Sequence, residues 1–172
     1  TMLDPADCGP ACISLCQDIQ GETFEYPEEF FKERIHNIRR PRPDDFQIKE
    51  AAEKIKKSKN PIIISGGGVF YSDAMEDLSN FAIKHNIPVT QTVMGYSTMK
   101  KDHSHFLGPI GGLGGKAANN FAKKTDLAIA VGTKLGDFTT GSWANFENPK
   151  FSLVSINVAR FDANKHMSQS IV

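Results

Sequence analysis

From residue 45 onward the apolar residues recur in two alternating rhythms; before that point they follow neither. Asp44 or Asp45 can cap a helix running to about Ser58, because Ile48, Ala51, Ala52 and Ile55 return at helical spacing. "PIIIS" (61–65) is a continuous apolar run between proline and glycine, which suits a strand buried on both faces. Ser72 or Asp73 is placed to cap a second helix, with Met75, Leu78, Phe81 and Ala82 as its inner stripe. "IPVTQT" (87–92) and the shorter "HFLGP" (105–109) read as strands. "GGKAANNFAKK" reads as a helix preceded by glycines, and "DLAIAVGT" (126–133) and "FSLVSINVA" (151–159) read as buried strands. Strands alternating with helices predict an α/β fold, a Rossmann-like three-layer αβα sandwich around a mainly parallel sheet.

The first 44 residues behave differently. "GPACISLCQ" (9–17) alternates small and apolar residues and is expected to form a short strand. Residues 21–44 are charged and carry three prolines, each of which removes a backbone donor and biases its predecessor toward extended geometry. An extended linker is expected there, with a short helix at 28–35. The basic cluster "IRRPRPD" within it reads as a solvated face. The expected organisation is thus an end segment of a preceding domain (1–20), a linker (21–44) and a central domain (45–172). The start at Thr1 reads as a cut from a longer chain.

Composition narrows the partners. Lys and Arg number 20, and so do Asp and Glu. Zero net charge argues against nucleic acid or a membrane surface. No apolar run approaches the roughly 20 residues that span a bilayer, and no signal peptide is evident. Cys8, Cys12 and Cys16 have neither the spacing nor the companions of a zinc site or disulfide framework, and read as incidental thiols of a cytoplasmic protein.

Candidate chemistry lies in the glycines. "SGGGVFYSDA" puts Gly66, Gly67 and Gly68 between a strand and a helix, where backbone N–H groups can face an anion. The spacing matches neither the dinucleotide fingerprint nor a P-loop. Three further turns follow strands: "TVMGYST" with Thr92 and Met94, "LGPIGGLGGKAANN" with Gly108 and Gly111, and "VGTKLGDFTTG" with Gly132. All would fall on the carboxyl edge of a parallel sheet, where such folds bind ligands. Asp137 and Asn157 are the polar residues expected to face that crevice. Tight strand-to-helix turns use glycine for purely structural reasons too, so both roles stay open.

No residue set reads as a catalytic centre. His36, His85, His103, His105 and His166 are scattered, and "DHSH" (102–105) reads as an exposed loop rather than a metal site. Trp143 and Phe146 read as core or interface.

In order along the chain, several segments resemble thiamin diphosphate enzymes. "GPACISLCQDIQ" is similar to the close of their first catalytic domain, with Cys16 where that pattern has proline. "AAEKIKKSKNPIIISGGGVFYSDAMEDLSNFAIKHNIPVTQTVMG" resembles the opening of their central domain. "HFLGPIGGLGGKAANNFAKKTDLAIAVGTKLGDFTTGSWANF" and "VSINVARFDANKH" continue the resemblance. The linker "YPEEFFKERIHNIRRPRPD" looks like that of the trihydroxycyclohexanedione hydrolases of myo-inositol breakdown.

The resemblance implies a parent enzyme that hydrolyses a cyclic 1,2-dione with thiamin diphosphate and magnesium, as a cytoplasmic homo-oligomer. It implies that the activating glutamate and the "GDG" segment belong to flanking catalytic domains; no "GDG" occurs in this chain. Some members of the family bind FAD in the central domain, some an adenine nucleotide, and some nothing. Lys134-Leu135-Gly136-Asp137 stands where acetolactate synthases carry "RFDD", and Asn157 and Ala159 stand where they carry aspartates, which weighs against FAD. The expectation is a catalytically incomplete central domain. The alternatives are an acetolactate synthase-like domain that binds FAD or an adenine nucleotide, an independent nucleotide-binding module, and a relative of NAD-dependent deacylases.

Overall fold

A computed structural model describes residues 2–172; Thr1, the first residue of the 1–20 segment, lies outside them. The chain divides into a unit ending at Arg40 and a unit spanning Pro41–Val172.

The second unit is built on six parallel strands: β1 (Pro61–Ser65), β2 (Val89–Gln91), β3 (Phe106–Pro109), β4 (Leu127–Val131), β5 (Ser152–Ile156) and β6 (Gln169–Ile171). Their spatial order is β3-β2-β1-β4-β5-β6, so the sequence reverses direction between β1 and β4. The helices are α1 (Asp45–Lys57), α2 (Gly67–Tyr71), α3 (Met75–His85), α4 (Lys116–Lys124), α5 (Asp137–Thr140) and α6 (Arg160–Asn164).

Both faces of the sheet are buried, which is why its strands read as unbroken apolar runs. Ile63, Val89, Ile129 and Val154 point to one face and pack with Ala51 of α1 and with Leu78 and Ala82 of α3. Ile62, Ile64, Ala128, Ala130 and Leu153 point to the other and meet Ala118 and Ala122 of α4. Alanines of both α4 and β4 belong to that second layer, and α4 lies against β3.

The amino ends of three strands are tied by one residue. Asp126 accepts from Ser58 Oγ and from the N–H groups of Lys59 (2.8 Å) and Asn60 (3.0 Å), and its carbonyl accepts from Ser152 N at 2.9 Å. The entries to β1, β4 and β5 are thereby held together. Burial pushes this carboxyl upward, but the hydrogen bonds from Ser58, Lys59 and Asn60 outweigh it and hold Asp126 below its ordinary value.

Several expectations need correcting. Residues 9–17 form no strand: among the described residues of the unit ending at Arg40 there is no strand to pair with, and a lone strand has nothing to complete its ladder of hydrogen bonds. The helix expected at 28–35 is the single 3₁₀ turn Glu28–Phe31. Asp44 caps α1 through Phe46 N, but Ile48 is exposed rather than part of the inner stripe. Neither Ser72 nor Asp73 caps α3: the N-cap is Ala74, and Asp73 lies in the left-handed region at φ 55°. Glycine-rich α2 takes up the chain first and shifts the start of α3. Phe81 sits at the helix surface against His85. The short elements α2, α5, α6 and β6 carry too few residues to show a period.

Candidate functional site

The glycine-bearing turns do gather on one rim, at the carboxyl ends of β1, β2, β3 and β4. At its centre, where strand order reverses, two turns touch. Gly66 N donates to Val131 O (2.8 Å), Gly68 N to Gly132 O (2.9 Å) and Val69 N to Gly66 O (3.1 Å). Gly132, at φ 60°, donates in turn to Ile156 O (2.8 Å). A Cβ on Gly68 would come within 2.6 Å of the Gly132 Cα, and one on Gly132 within 2.6 Å of the Gly68 Cα. A Cβ on Gly66 would strike the Gly132 carbonyl. These glycines are required because two backbones cross there with no room for side chains.

The flanking turns are held in the same manner. Thr92 is buried; its N–H donates to Ser65 O (2.9 Å) and its hydroxyl accepts from Gly95 N (3.0 Å). Ser65 Oγ donates to Thr98 Oγ1, which donates to Gly95 O, both at 2.7 Å. Gly67 lies against the carbonyl of Met94, whose side chain is exposed. Gly108 sits at φ 91° where β3 shifts register against β2. Gly111, at φ 101°, is clamped by Asn119 of α4, which accepts from its N–H (2.9 Å) and donates to its carbonyl (3.0 Å). Asn157 donates to Thr133 O (3.1 Å) and accepts from Ala159 N (2.9 Å), so its amide is spent on its own loops. Asp137 opens α5 and is exposed.

The rim therefore carries Gly66, Gly67, Gly68, Thr92, Met94, Gly108, Gly111, Gly132, Asp137 and Asn157, and the polar groups of Gly66, Gly68, Thr92, Gly111, Gly132 and Asn157 bond neighbouring protein groups. The clamping residues Ser65, Thr98 and Asn119 were not singled out from sequence; only the Asn-Asn pair in "KAANNF" hinted at one of them.

A diphosphate could not draw on most of the backbone donors at the crossover point. The N–H groups of Gly66, Gly68 and Gly132 at the crossover point already bond protein carbonyls. Two cavities of the described surface are lined by none of these rim residues. A shallow groove of about 550 Å³ is lined by Arg160, Phe161, Asn164 and Lys165. Another of about 230 Å³ lies beside Asp126 and Lys54 at the amino ends of the strands. Among the described residues no group of three His, Cys, Asp or Glu side chains is gathered as a metal ion would need. His103 faces Ser79 Oγ at 3.0 Å and His105 faces Asn86 Oδ1 at 2.9 Å. Trp143 packs against His166 and Phe146 stacks on Phe151. Cys8, Cys12 and Cys16 are exposed free thiols. Among the described residues no helix is long and apolar enough to cross a membrane.

The fold and its rim define an α/β domain with a parallel sheet whose strand order reverses between β1 and β4. Residues 48–172 match the family described as thiamine pyrophosphate enzyme, central domain, and the chain belongs to it. Its relatives include proteins named 3D-(3,5/4)-trihydroxycyclohexane-1,2-dione hydrolase. The one from Clostridium perfringens (strain 13 / Type A) is 46% identical over 171 residues, covering 99% of this chain and 27% of the relative. That of Clostridium botulinum (strain Eklund 17B / Type B) is 49% identical over 95% of this chain and 26% of its own length. A third, from Bacillus cereus (strain ZK / E33L), is 43% identical over the same shares. The chain spans about a quarter of the length of these relatives.

Proposed function

We propose that this chain is the central, non-catalytic domain of a thiamin diphosphate- and magnesium-dependent hydrolase that opens trihydroxycyclohexane-1,2-dione in myo-inositol breakdown. The observation that carries the reading is identity of 46% across 99% of the chain to a relative so named. Thiamin diphosphate would supply the carbanion chemistry and be bound, with its magnesium, by flanking domains of the same polypeptide. The enzyme would be a cytoplasmic homo-oligomer. Residues 1–20 would close the preceding domain, 21–44 would be the connection, and 45–172 the central domain.

In this reading the rim is scaffold. Gly66, Gly68 and Gly132 set how closely two turns cross, while Thr92, Gly111 and Asn157 hold the loops around them. Met94 and Asp137 reach outward and are the rim residues placed to meet a neighbouring domain. The segment before Pro41 fits the same picture. Phe24, Tyr26, Phe30 and Phe31 cluster with ring centroids 4.8–6.1 Å apart, yet every one of them is exposed. Rings gathered in water without a core beneath them suit a segment that packs on a further domain.

The test is a turnover assay. The purified chain, given thiamin diphosphate and magnesium, should not hydrolyse the dione, whereas the longer polypeptide that carries it should. Turnover by the chain alone would overturn the proposal.

A further inference from the structure

The turns whose backbones close the rim also carry exposed apolar side chains. Phe70 follows β1; Val93, Met94 and Tyr96 follow β2; Leu113 follows β3; Phe138 follows β4. Each is more than half exposed. Their loops are neighbours: Met94 O lies against Gly67, Gly68 against Gly132, and Gly112 N donates to Phe138 O at 2.7 Å. The same turns carry Lys101, Lys134 and Asp137, with Lys101 Nζ 5.7 Å from the Tyr96 ring centroid. Exposed aromatic and methionine side chains gathered in one place are the residue types enriched at protein interfaces.

We propose that this rim is a docking surface, and that its occupant is an apolar face of another domain of the same enzyme. The inference rests on reading the chain as the central domain of a longer polypeptide. Nearly three quarters of each relative lies outside the matched stretch, so there is ample protein to cover the rim. Strand β6 runs parallel to the others, so a polypeptide continuing past it leaves on this side. Nucleotide is a poorer occupant, since the N–H groups of Gly66, Gly68 and Gly132 at the crossover already bond protein carbonyls.

Hydroxyl-radical footprinting with mass spectrometry tests the proposal, comparing the full-length enzyme with the 172-residue chain. Oxidation of Met94, Tyr96 and Phe138 should fall at least about fivefold in the full-length enzyme. Met94→Glu with Phe138→Glu should leave the melting point of the chain unchanged and lower that of the full-length enzyme. Equal oxidation in an active full-length enzyme overturns the docking surface while leaving the parentage intact. Protection that grows with concentration of the chain alone assigns the rim to a second copy and overturns it. Protection lost when ADP or FAD is stripped from the enzyme assigns it to a nucleotide, with the same consequence. A gene encoding no polypeptide longer than this chain overturns both the docking surface and the parentage.

Discussion

Gly132 carries two constraints at once, a positive φ and a neighbour's backbone at 2.6 Å. Gly132→Ala should therefore cost about 2–4 kcal/mol, the sum of left-handed strain and a clash that rigid backbone cannot relieve. Urea unfolding measures it; a loss under about 0.5 kcal/mol would mean that the two turns are free to separate. Asp126 gives a pH-dependent counterpart at the other end of the strands. Its carboxyl is held below the ordinary value in the folded chain. Its contribution is therefore complete above the unfolded value, roughly pH 4, and is lost as pH falls through the folded value. Asp126→Asn should cost about 1–2 kcal/mol at pH 7. The difference from the parent chain should shrink in acid; a difference that stays constant down to pH 2 would rule out the charge as its source.

Among the elements, α4 and the sheet share a core layer rich in small residues. Ala118, Ala122, Ala128 and Ala130 are all fully buried. Enlarging one of them, as in Ala122→Leu, should lift α4 from the sheet at a cost of about 1–3 kcal/mol, read as a lower denaturation midpoint with an unchanged slope. An unaffected midpoint would mean that this layer is loosely packed. The elements legible in the sequence are those whose burial imposes a pattern: α1, α3, α4, and β1 through β5. Those that were not legible are short, and tertiary contacts hold them. β6 pairs with β5, and α1 packs beside it. The apparent strand at 9–17 shows the reverse error, since alternation alone supplies no pairing partner. The rim itself was legible because glycine marks every turn. Its role was not, because whether a glycine N–H bonds a ligand or a neighbouring carbonyl depends on how two distant turns meet.

At the largest scale, the account makes the unit Pro41–Val172 an αβα scaffold whose crossing glycines Gly66, Gly68 and Gly132 bond protein carbonyls and whose rim faces protein. The reading of the family from ordered sequence segments and the family match over residues 48–172 agree at this scale. The most direct measurement is thermal unfolding of the chain with ADP, FAD and NAD, each added well above micromolar concentration. A ligand held specifically at about 100 times its Kd adds about 2.7 kcal/mol, which for a chain of this size raises Tm by about 5–10 °C. The account predicts no rise with any of the three; a saturable rise of that size with one of them would show that the rim opens to a nucleotide, and would contradict it.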